Sequence, residues 1–311
     1  MRDREAVRPI PLLPRRVMDA HRKNLIELNV AVLLWAGTAL FAKWIALPAF
    51  QITALRSVVA AVALFAVLRW QGQSLRTASR KDLWILLAGG LAMSAHWVTY
   101  FQSIQISTVA IGILSLHTYP VMTSLIEPLL FRERVHWLDV LLALLVLVGV
   151  AVLVPAFSLD NAIARGVLLG ILSAACFTAR NILSRRVVAV YGGMRVTFYQ
   201  LLAAAVALVP VALLAGRPIS VHTGWQVLLL GILFTALPHT LYTNSLAHLK
   251  ARSVGVIATL LPVYGAVTAA VFLGEIPATR TLVGGAIILV AVIIETVRVL
   301  QRPAPAVAPT R

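Results

Sequence analysis

The chain has 311 residues, 60% of them hydrophobic and only 12% charged, with a net charge of +16 and a mean hydropathy of +0.91. Soluble domains carry about 25% charged residues, so a chain this apolar lacks the polar surface to cover itself in water and belongs in a bilayer. Its lone cysteine, Cys176, excludes an internal disulfide and any cysteine-based zinc site.

Residues 1–24 are basic and proline-broken, with neither an apolar core nor a small-residue cleavage site, and read as a tail rather than a signal peptide. A bilayer core of about 30 Å needs about 20 apolar residues per helix. Ten runs of that kind follow, over 25–45, 50–69, 82–103, 107–131, 136–155, 166–186, 195–215, 223–246, 251–273 and 279–299. Very short connectors separate the first from the second and the third from the fourth. Residues 300–311, rich in Pro and Ala, read as a disordered tail.

Basic residues gather in alternate connectors and at both ends. With the N-terminus placed inside, twenty-one Lys and Arg fall on the inner side and three (Arg165, Arg217 and Arg280) on the outer side. This positive-inside pattern places both termini in the cytoplasm of a cell whose inner (plasma) membrane the chain crosses many times. No basic stripe interleaved with aromatics is present, which excludes nucleic acid as a partner.

Residues 28–155, shifted forward by 142 positions, fall on residues 170–297 with matching chemistry. Trp35 meets Phe177, Lys43 meets Arg185, Gly89 meets Gly231 and Tyr100 meets Tyr242. Ser103 meets Ser245, Pro120-Val121 meets Pro262-Val263, and Glu133 meets Glu275. An internal repeat in a hydrophobic chain is the usual trace of a secondary transporter. Five helices is an odd number, so the second repeat inserts upside down. The expected fold is an all-α integral membrane protein of ten transmembrane helices in two inverted five-helix repeats, 25–155 and 166–299, with the substrate site near their shared axis.

Particular residues carry a resemblance. The first half has Leu34-Trp35, Lys43, Ala54-Leu55-Arg56, Tyr100-Phe101, Tyr119-Pro120-Val121 and Arg132-Glu133-Arg134. The second has Asn181, Ser184-Arg185-Arg186, Tyr242-Thr243-Asn244-Ser245-Leu246, Leu261-Pro262-Val263 and Gly274-Glu275. In order, spacing and doubling, these resemble the EamA-type permeases of the drug/metabolite transporter superfamily over about 28–297. The resemblance implies transport, often export, of a small organic metabolite through a cavity lined by helices 1, 3, 4, 6, 8 and 9. It leaves the substrate open among amino acids, related metabolites, nucleotide sugars, sugar phosphates and cationic compounds. Glu127-Pro128 and several histidines at membrane depth depart from the common pattern.

Ionisable residues inside a bilayer are costly and are functional candidates by default. Arg56, in the second helix, reads as a positive wall for a carboxylate or as a residue binding carbonyls of the first hairpin. Lys43 reads as a gate or a snorkelling residue. At an offset of 144 Arg56 faces Gln200, so the second half keeps polarity and loses charge there. Glu127, read as the only acid well inside a span, is either a proton carrier or an interfacial carboxylate paired with Arg132 or Arg134. His96 and Tyr100 stand four apart on one helix face; His117 precedes Pro120 by a turn; His239 and Tyr242 occupy the matching region of the eighth helix. Histidines around one cavity, His117 and His239 above all, can couple proton movement to substrate. No close His/acid spacing supports a metal, and no cofactor is implied.

Arg180 and Asn181 lie mid-span, and Arg180 is the leading candidate for holding an anion, because guanidinium pairs bidentately with carboxylate. Asn244 joins Tyr242 on the eighth helix as a further lining candidate. Trp35, Trp97, Tyr119, Tyr199 and Tyr264 are candidates for an aromatic wall; Trp44, Trp70, Trp84 and Trp225 read as an interfacial belt. Pro120 and Pro262 are candidate hinges at equivalent positions, with Pro238 a further break near His239. Gly166 and Gly170 suit close helix contact.

The leading expectation is a secondary transporter exporting an amino acid or relative. A multidrug or organic-cation exporter would want a deep carboxylate unopposed by cations, and here Arg56, Arg180 and Lys43 outnumber Glu127. A membrane enzyme would show a nucleophile–base pair or twin aspartates, which the spans lack, and a scaffold would not need symmetric bends. With no P-loop, ATP does not drive it directly. Proton coupling or facilitated exchange, and a monomer or a dimer, all remain compatible with the sequence.

Overall fold

The computed structural model describes residues 15–131, 135–156, 158–248 and 257–301. Every regular element in them is helical: α1 (Arg15–Trp44), α2 (Ala49–Trp70), α3 (Arg80–Ile106), α4 (Val109–Leu116), α5 (Tyr119–Phe131), α6 (Trp137–Leu153), α7 (Ala162–Tyr191), α8 (Gly193–Ala215) and α9 (Val221–Gly231), then a π-helical turn (Ile232–Ala236), α10 (Leu237–His248), α11 (Leu261–Leu273) and α12 (Thr279–Gln301).

Local chemistry starts and stops these helices. Ser79, Thr108, Asn161 and Ser220 cap α3, α4, α7 and α9 by accepting from backbone N–H groups of the first turn, which satisfies donors that a helix start leaves without partners. Asp139 and His136 form a reciprocal cap on α6. Gly274, at φ +66°, ends α11 in the left-handed region that a side chain disfavours, and it turns the following Glu275 back over the bundle.

Eight helices or helix pairs are long and apolar enough to cross a membrane among the described residues: Lys23–Trp44, Ala49–Trp70, Arg80–Ile106, Val109–Leu130, Ala162–Arg185, Gly193–Ala215, Val221–Tyr242 and Thr279–Arg298. Two further runs of the ten expected correspond to shorter apolar helices, Trp137–Leu153 and Leu261–Leu273; residues 251–256 of the ninth run lie outside the described residues. The outward surface carries Val62, Phe65, Leu144, Leu147, Val206 and Val267, each at least 45% exposed. An apolar exterior of this extent is what lipid, not water, solvates. The protein is a multi-pass membrane protein.

Helices from the two halves pack in matched pairs. α3 lies along α7 and α1 against α10; α4 meets α7, and α1 meets α11; α2 runs along α8 and α6 along α12. Small residues permit the closest approaches. A Cβ on Gly170 would run into Ser115, and one on Gly166 into Ser107, so α7 presses directly on α3 and α4. Two ends of the bundle are defined by side chains that tie connectors together. At one end Lys43, Gln51 and Gln105 bind the carbonyls of Ser107, Arg217 and Leu47. At the other, Tyr191 donates to Asp82 and accepts from the Ala78 N–H, while Arg298 joins α12 to Asp139 of α6.

Overpacking such a contact costs about 1–3 kcal/mol. Gly170→Val is therefore expected to lower the thermal stability of the purified protein by several degrees. Gly224→Ala, at a position with nothing within 4 Å, is expected to leave it unchanged or raise it. Melting curves in one detergent check both.

Candidate functional site

The four helices α1, α3, α7 and α10, flanked by α4 and α11, converge on a set of buried polar and aromatic side chains. Arg56 enters from α2. It is 2% exposed, and its Nη2 donates to Thr235 Oγ1 at 2.9 Å. Its guanidinium carbon stands 4.2 Å from the Trp97 ring centre and 5.2 Å from that of Phe101. The hairpin carbonyls expected as partners are replaced by this hydroxyl and these ring faces, which attract a cation through their quadrupoles. Arg56 Nε and Nη1 have no hydrogen-bond partner among the described residues.

Thr235 owes its position to the π-helical turn. The wider winding lets its hydroxyl donate to the Leu230 carbonyl five residues back, at 2.8 Å, so its lone pairs face Arg56. Two residues past that turn, Pro238 has no N–H to return to the Phe234 carbonyl, and Thr38 Oγ1 of α1 donates there at 3.1 Å. Neither Thr235 nor Thr38 stood out in the sequence, because π segments frequent functional sites yet leave no composition signal.

Arg180 enters from α7 and is half-buried. Nε donates to Gln200 Oε1 at 2.9 Å and Nη1 to Asn181 Oδ1 at 3.0 Å. Gln200 is itself 1% exposed and donates to Ser184 Oγ at 2.7 Å; Ser184 in turn donates to the Arg180 carbonyl at 2.7 Å. The polar residue found at offset 144 from Arg56 is thus the bracket that aims Arg180. Each guanidinium lies within electrostatic reach of both His96 and His239. None of the ion pairs among the described residues places a carboxylate on Arg56 or Arg180.

The histidines have assignable tautomers. Ser173 Oγ donates to the His96 carbonyl at 2.9 Å, so its oxygen accepts from His96 Nδ1–H at 2.7 Å. His239 Nδ1 is 2.7 Å from the Thr235 carbonyl and His117 Nδ1 is 3.0 Å from that of Ile113; a carbonyl only accepts, so both nitrogens carry the hydrogen. In the neutral rings of His96 and His239, Nε2 is then the lone-pair atom. His117 also meets the Ala258 carbonyl, the one to which Pro262 has no N–H to return.

An aromatic residue of each half gathers an imidazole and a tyrosine ring. Trp35 of α1 lies 5.2 Å from His239 and 4.9 Å from Tyr242 of α10. Its repeat counterpart, Phe177 of α7, lies 4.7 Å from His96 of α3 and 4.8 Å from Tyr119. His96 and Tyr100 stack at 6.1 Å and 15°. Tyr199 packs in a cluster with Trp97 and Phe177, and Tyr264 in one with Tyr242, while their hydroxyls are engaged elsewhere. Tyr199 donates to the Leu75 carbonyl near one end of the bundle, and Tyr264 donates to Asn29. Asn244 lies in α10, but its side chain falls outside the described residues.

On the Lys43 side the polar cluster is bordered by the packed apolar side chains of Phe41, Ile45, Phe101, Ile104 and Ile113, each 0–1% exposed. Beyond them Lys43 forms an ion pair with Glu275 at 3.6 Å, and the other Glu275 oxygen accepts from the Val109 N–H. On the opposite side Tyr119, Thr123, Arg180, Asn181 and Tyr242 are half-buried. Glu127 of α5 lies farther out on that side and pairs with Arg185 of α7; Arg132 and Arg134, expected as its partners, lie outside the described residues. Nor is Glu127 the only acid within a span. Glu295 of α12 is 1% exposed and shares Arg298 with Asp139. Pro120 and Pro262 do not bend continuous helices. Each opens a new helix, α5 and α11, after a turn at His117–Thr118 and at Thr259–Leu260.

A cluster of cations, imidazoles and aromatic rings buried inside an apolar helical bundle, drawn from both halves of the chain, defines a membrane protein with a polar interior. The sequence model of the EamA-like transporter family matches residues 25–154 and again residues 164–296. The chain belongs to this family. It is 26% identical over 247 residues to the pseudopaline exporter CntI of Pseudomonas aeruginosa, covering 79% of this chain and 86% of that one. With the threonine/homoserine exporter RhtA of Escherichia coli it shares 29% identity over 230 residues, 72% of this chain and 74% of the relative. An uncharacterized transporter of Archaeoglobus fulgidus is 28% identical over 196 residues, 63% and 70% of the two chains. A solved structure at 22% identity superposes with a TM-score of 0.63 over 90% of this chain and 99% of its own, which establishes a shared fold.

Replacing Gln200 with Leu leaves a guanidinium donor and Ser184 without their partner at nearly constant volume, a loss of about 1–3 kcal/mol. Gln200→Leu is expected to weaken ligand binding at least about tenfold, and Gln200→Glu, which sets a carboxylate on Arg180, to weaken it as well. Binding titrations on the purified variants check the pair.

Proposed function

We propose that this chain is a secondary transporter that exports an amino acid or a related small metabolite by alternating access, with the carboxylate of the cargo seated on Arg180. The observation that carries this reading is the polar cluster itself: two guanidiniums, one from each half, among aromatic rings and imidazoles, with no carboxylate among the described residues paired to either. A buried cation without a counter-ion favours an anionic guest. The threonine/homoserine exporter among the relatives gives independent support for amino-acid cargo.

In this reading the matched sequences 25–155 and 166–299 are inverted five-helix repeats making ten spans, the two shorter apolar helices included. The Lys43 end faces outward, both termini lie in the cytoplasm, and the membrane is the inner membrane. The packed Lys43 side and the half-buried opposite side then describe a carrier facing the cytoplasm, ready to load cargo for export. Pro120 and Pro262 start fresh helical segments at equivalent points, where the halves can tilt without breaking helical hydrogen bonds. Proton coupling falls to His117, His239 and Glu127, whose charge changes would be felt by the polar cluster or by the Arg185 contact. The reading is of a carrier without enzymatic activity.

Uptake of labelled amino acids into proteoliposomes, with and without a pH gradient, tests this. Saturable flux that Arg180→Ala reduces at least about tenfold is the expected result, a change equivalent to losing one charge-assisted hydrogen-bond pair. Flux linear in concentration, or unaffected by Arg180→Ala, would sink the carrier assignment.

A further inference from the structure

The anion on Arg180 accounts for only one of the two guanidiniums. Arg56 is the more deeply buried, it is fastened by a single hydrogen bond to Thr235, and its Nε and Nη1 have no hydrogen-bond partner among the described residues. Trp97 and Phe101 lie against the group, 4.2 and 5.2 Å from its central carbon. Nε and Nη1 point to different sides, so each bidentate edge includes Nη2; Thr235 takes one of the two Nη2 hydrogens, and the other completes an edge with Nε or Nη1 that can meet a carboxylate bidentately. A purely structural arginine at this depth would be expected to saturate its donors on backbone carbonyls, since an unmade hydrogen bond in a low-dielectric interior is costly.

The two guanidiniums come from opposite halves and are aimed by separate partners, Thr235 for one and Gln200 with Asn181 for the other. Such a pair suits two anionic groups on one molecule better than a single compact anion. Both guanidiniums lie within electrostatic reach of His96 and of His239. With Nδ1–H engaged in each, the neutral rings offer Nε2 as an acceptor, and Tyr100, Trp35 and Tyr242 add ring faces beside them. Acceptors and π faces within reach of two cations match an ammonium group placed between two carboxylates.

We propose that the preferred cargo is an amino acid bearing a second carboxylate, with Arg180 on one carboxylate, Arg56 on the other and the amino group against the imidazoles. This rests on the amino-acid reading above and narrows it: Arg56 becomes the residue that selects acidic over neutral cargo.

Equilibrium binding to the purified protein, with proteoliposome flux in parallel, tests it with isosteric pairs: glutamate against glutamine and aspartate against asparagine. Threonine, glutarate and inorganic phosphate complete the panel. Glutamate or aspartate should bind at least about tenfold more tightly than its amide, the worth of one charge-assisted pair. In Arg56→Gln that preference should vanish while the amide binds within about threefold of its wild-type affinity. Glutarate should bind more weakly than glutamate, for want of the amino group. If an amide or threonine binds as well as the acid and is transported, the acidic-cargo proposal falls while the amino-acid reading stands. Inorganic phosphate competing as strongly as glutamate would also overturn the proposal, because a compact anion would then satisfy the site. Failure of every amino acid to bind or cross would remove both. Should Arg56→Gln not fold, the acid-to-amide ratio in the wild-type protein decides the matter alone.

Discussion

A guanidinium buried in a bilayer-spanning bundle has to be compensated, and the arrangement of this chain follows from that constraint. The energetic penalty of an unpaired charge in a medium without water is several kcal/mol even after relaxation. Arg180 meets it with Gln200 and Asn181, both neutral, and Arg56 with one hydroxyl and two ring faces. These partners orient the cations without neutralising them. Elsewhere the same chain does pair its charges with opposite ones: Arg298 lies between the buried Asp139 and Glu295, Glu275 holds Lys43, and Glu127 holds Arg185. The contrast separates ion pairs that fasten helices together from two cations that meet no carboxylate among the described residues.

The interruptions in the helices fit the same logic. Irregular backbone at membrane depth is tolerated only where other groups satisfy it. Thr38 supplies a donor to the Phe234 carbonyl beside Pro238, a repair that crosses from α1 to the segment joining α9 and α10. His117, after α4, lies against the Ala258 carbonyl that Pro262 leaves without a helical donor. The two breaks therefore sit where side chains of the opposite half are packed. The pairs Lys43–Glu275 and Arg185–Glu127 stand toward the two ends of this region and are candidates for contacts that exchange as it moves.

Much of the architecture was legible in the sequence because it depends on patterns that the chain carries locally. Apolar runs of span length, the 142-residue repeat and the doubled motifs led to the family that the comparison establishes. Arg56, His96, Tyr100, Arg180, His239 and Tyr242 were visible as polar or aromatic residues where lipid would not tolerate them alone. Their partners were not. Thr235 stands 179 residues from Arg56, and Arg185 stands 58 residues after Glu127; the nearest basic residues in sequence, Arg132 and Arg134, were the natural but local guess. Glu295 escaped notice because it sits close to the end of an apolar run, where an acid reads as interfacial, whereas packing of α6 against α12 buries it. The π-helical turn, which sets Thr235 against Arg56, depends on tertiary contacts and on Pro238 together, and periodicity does not reveal it.

The central claim is that one chamber between the halves opens to one side of the membrane at a time. Labelling a single cysteine at the chamber wall, Asn181→Cys in a Cys176→Ser background, with an impermeant maleimide from each face of oriented membrane vesicles tests it most directly. The account predicts labelling from the Glu127 face in the resting protein, little from the Lys43 face, and protection by transported cargo. Equal and simultaneous labelling from both faces, unaffected by cargo, would mean a continuous pore and would contradict it.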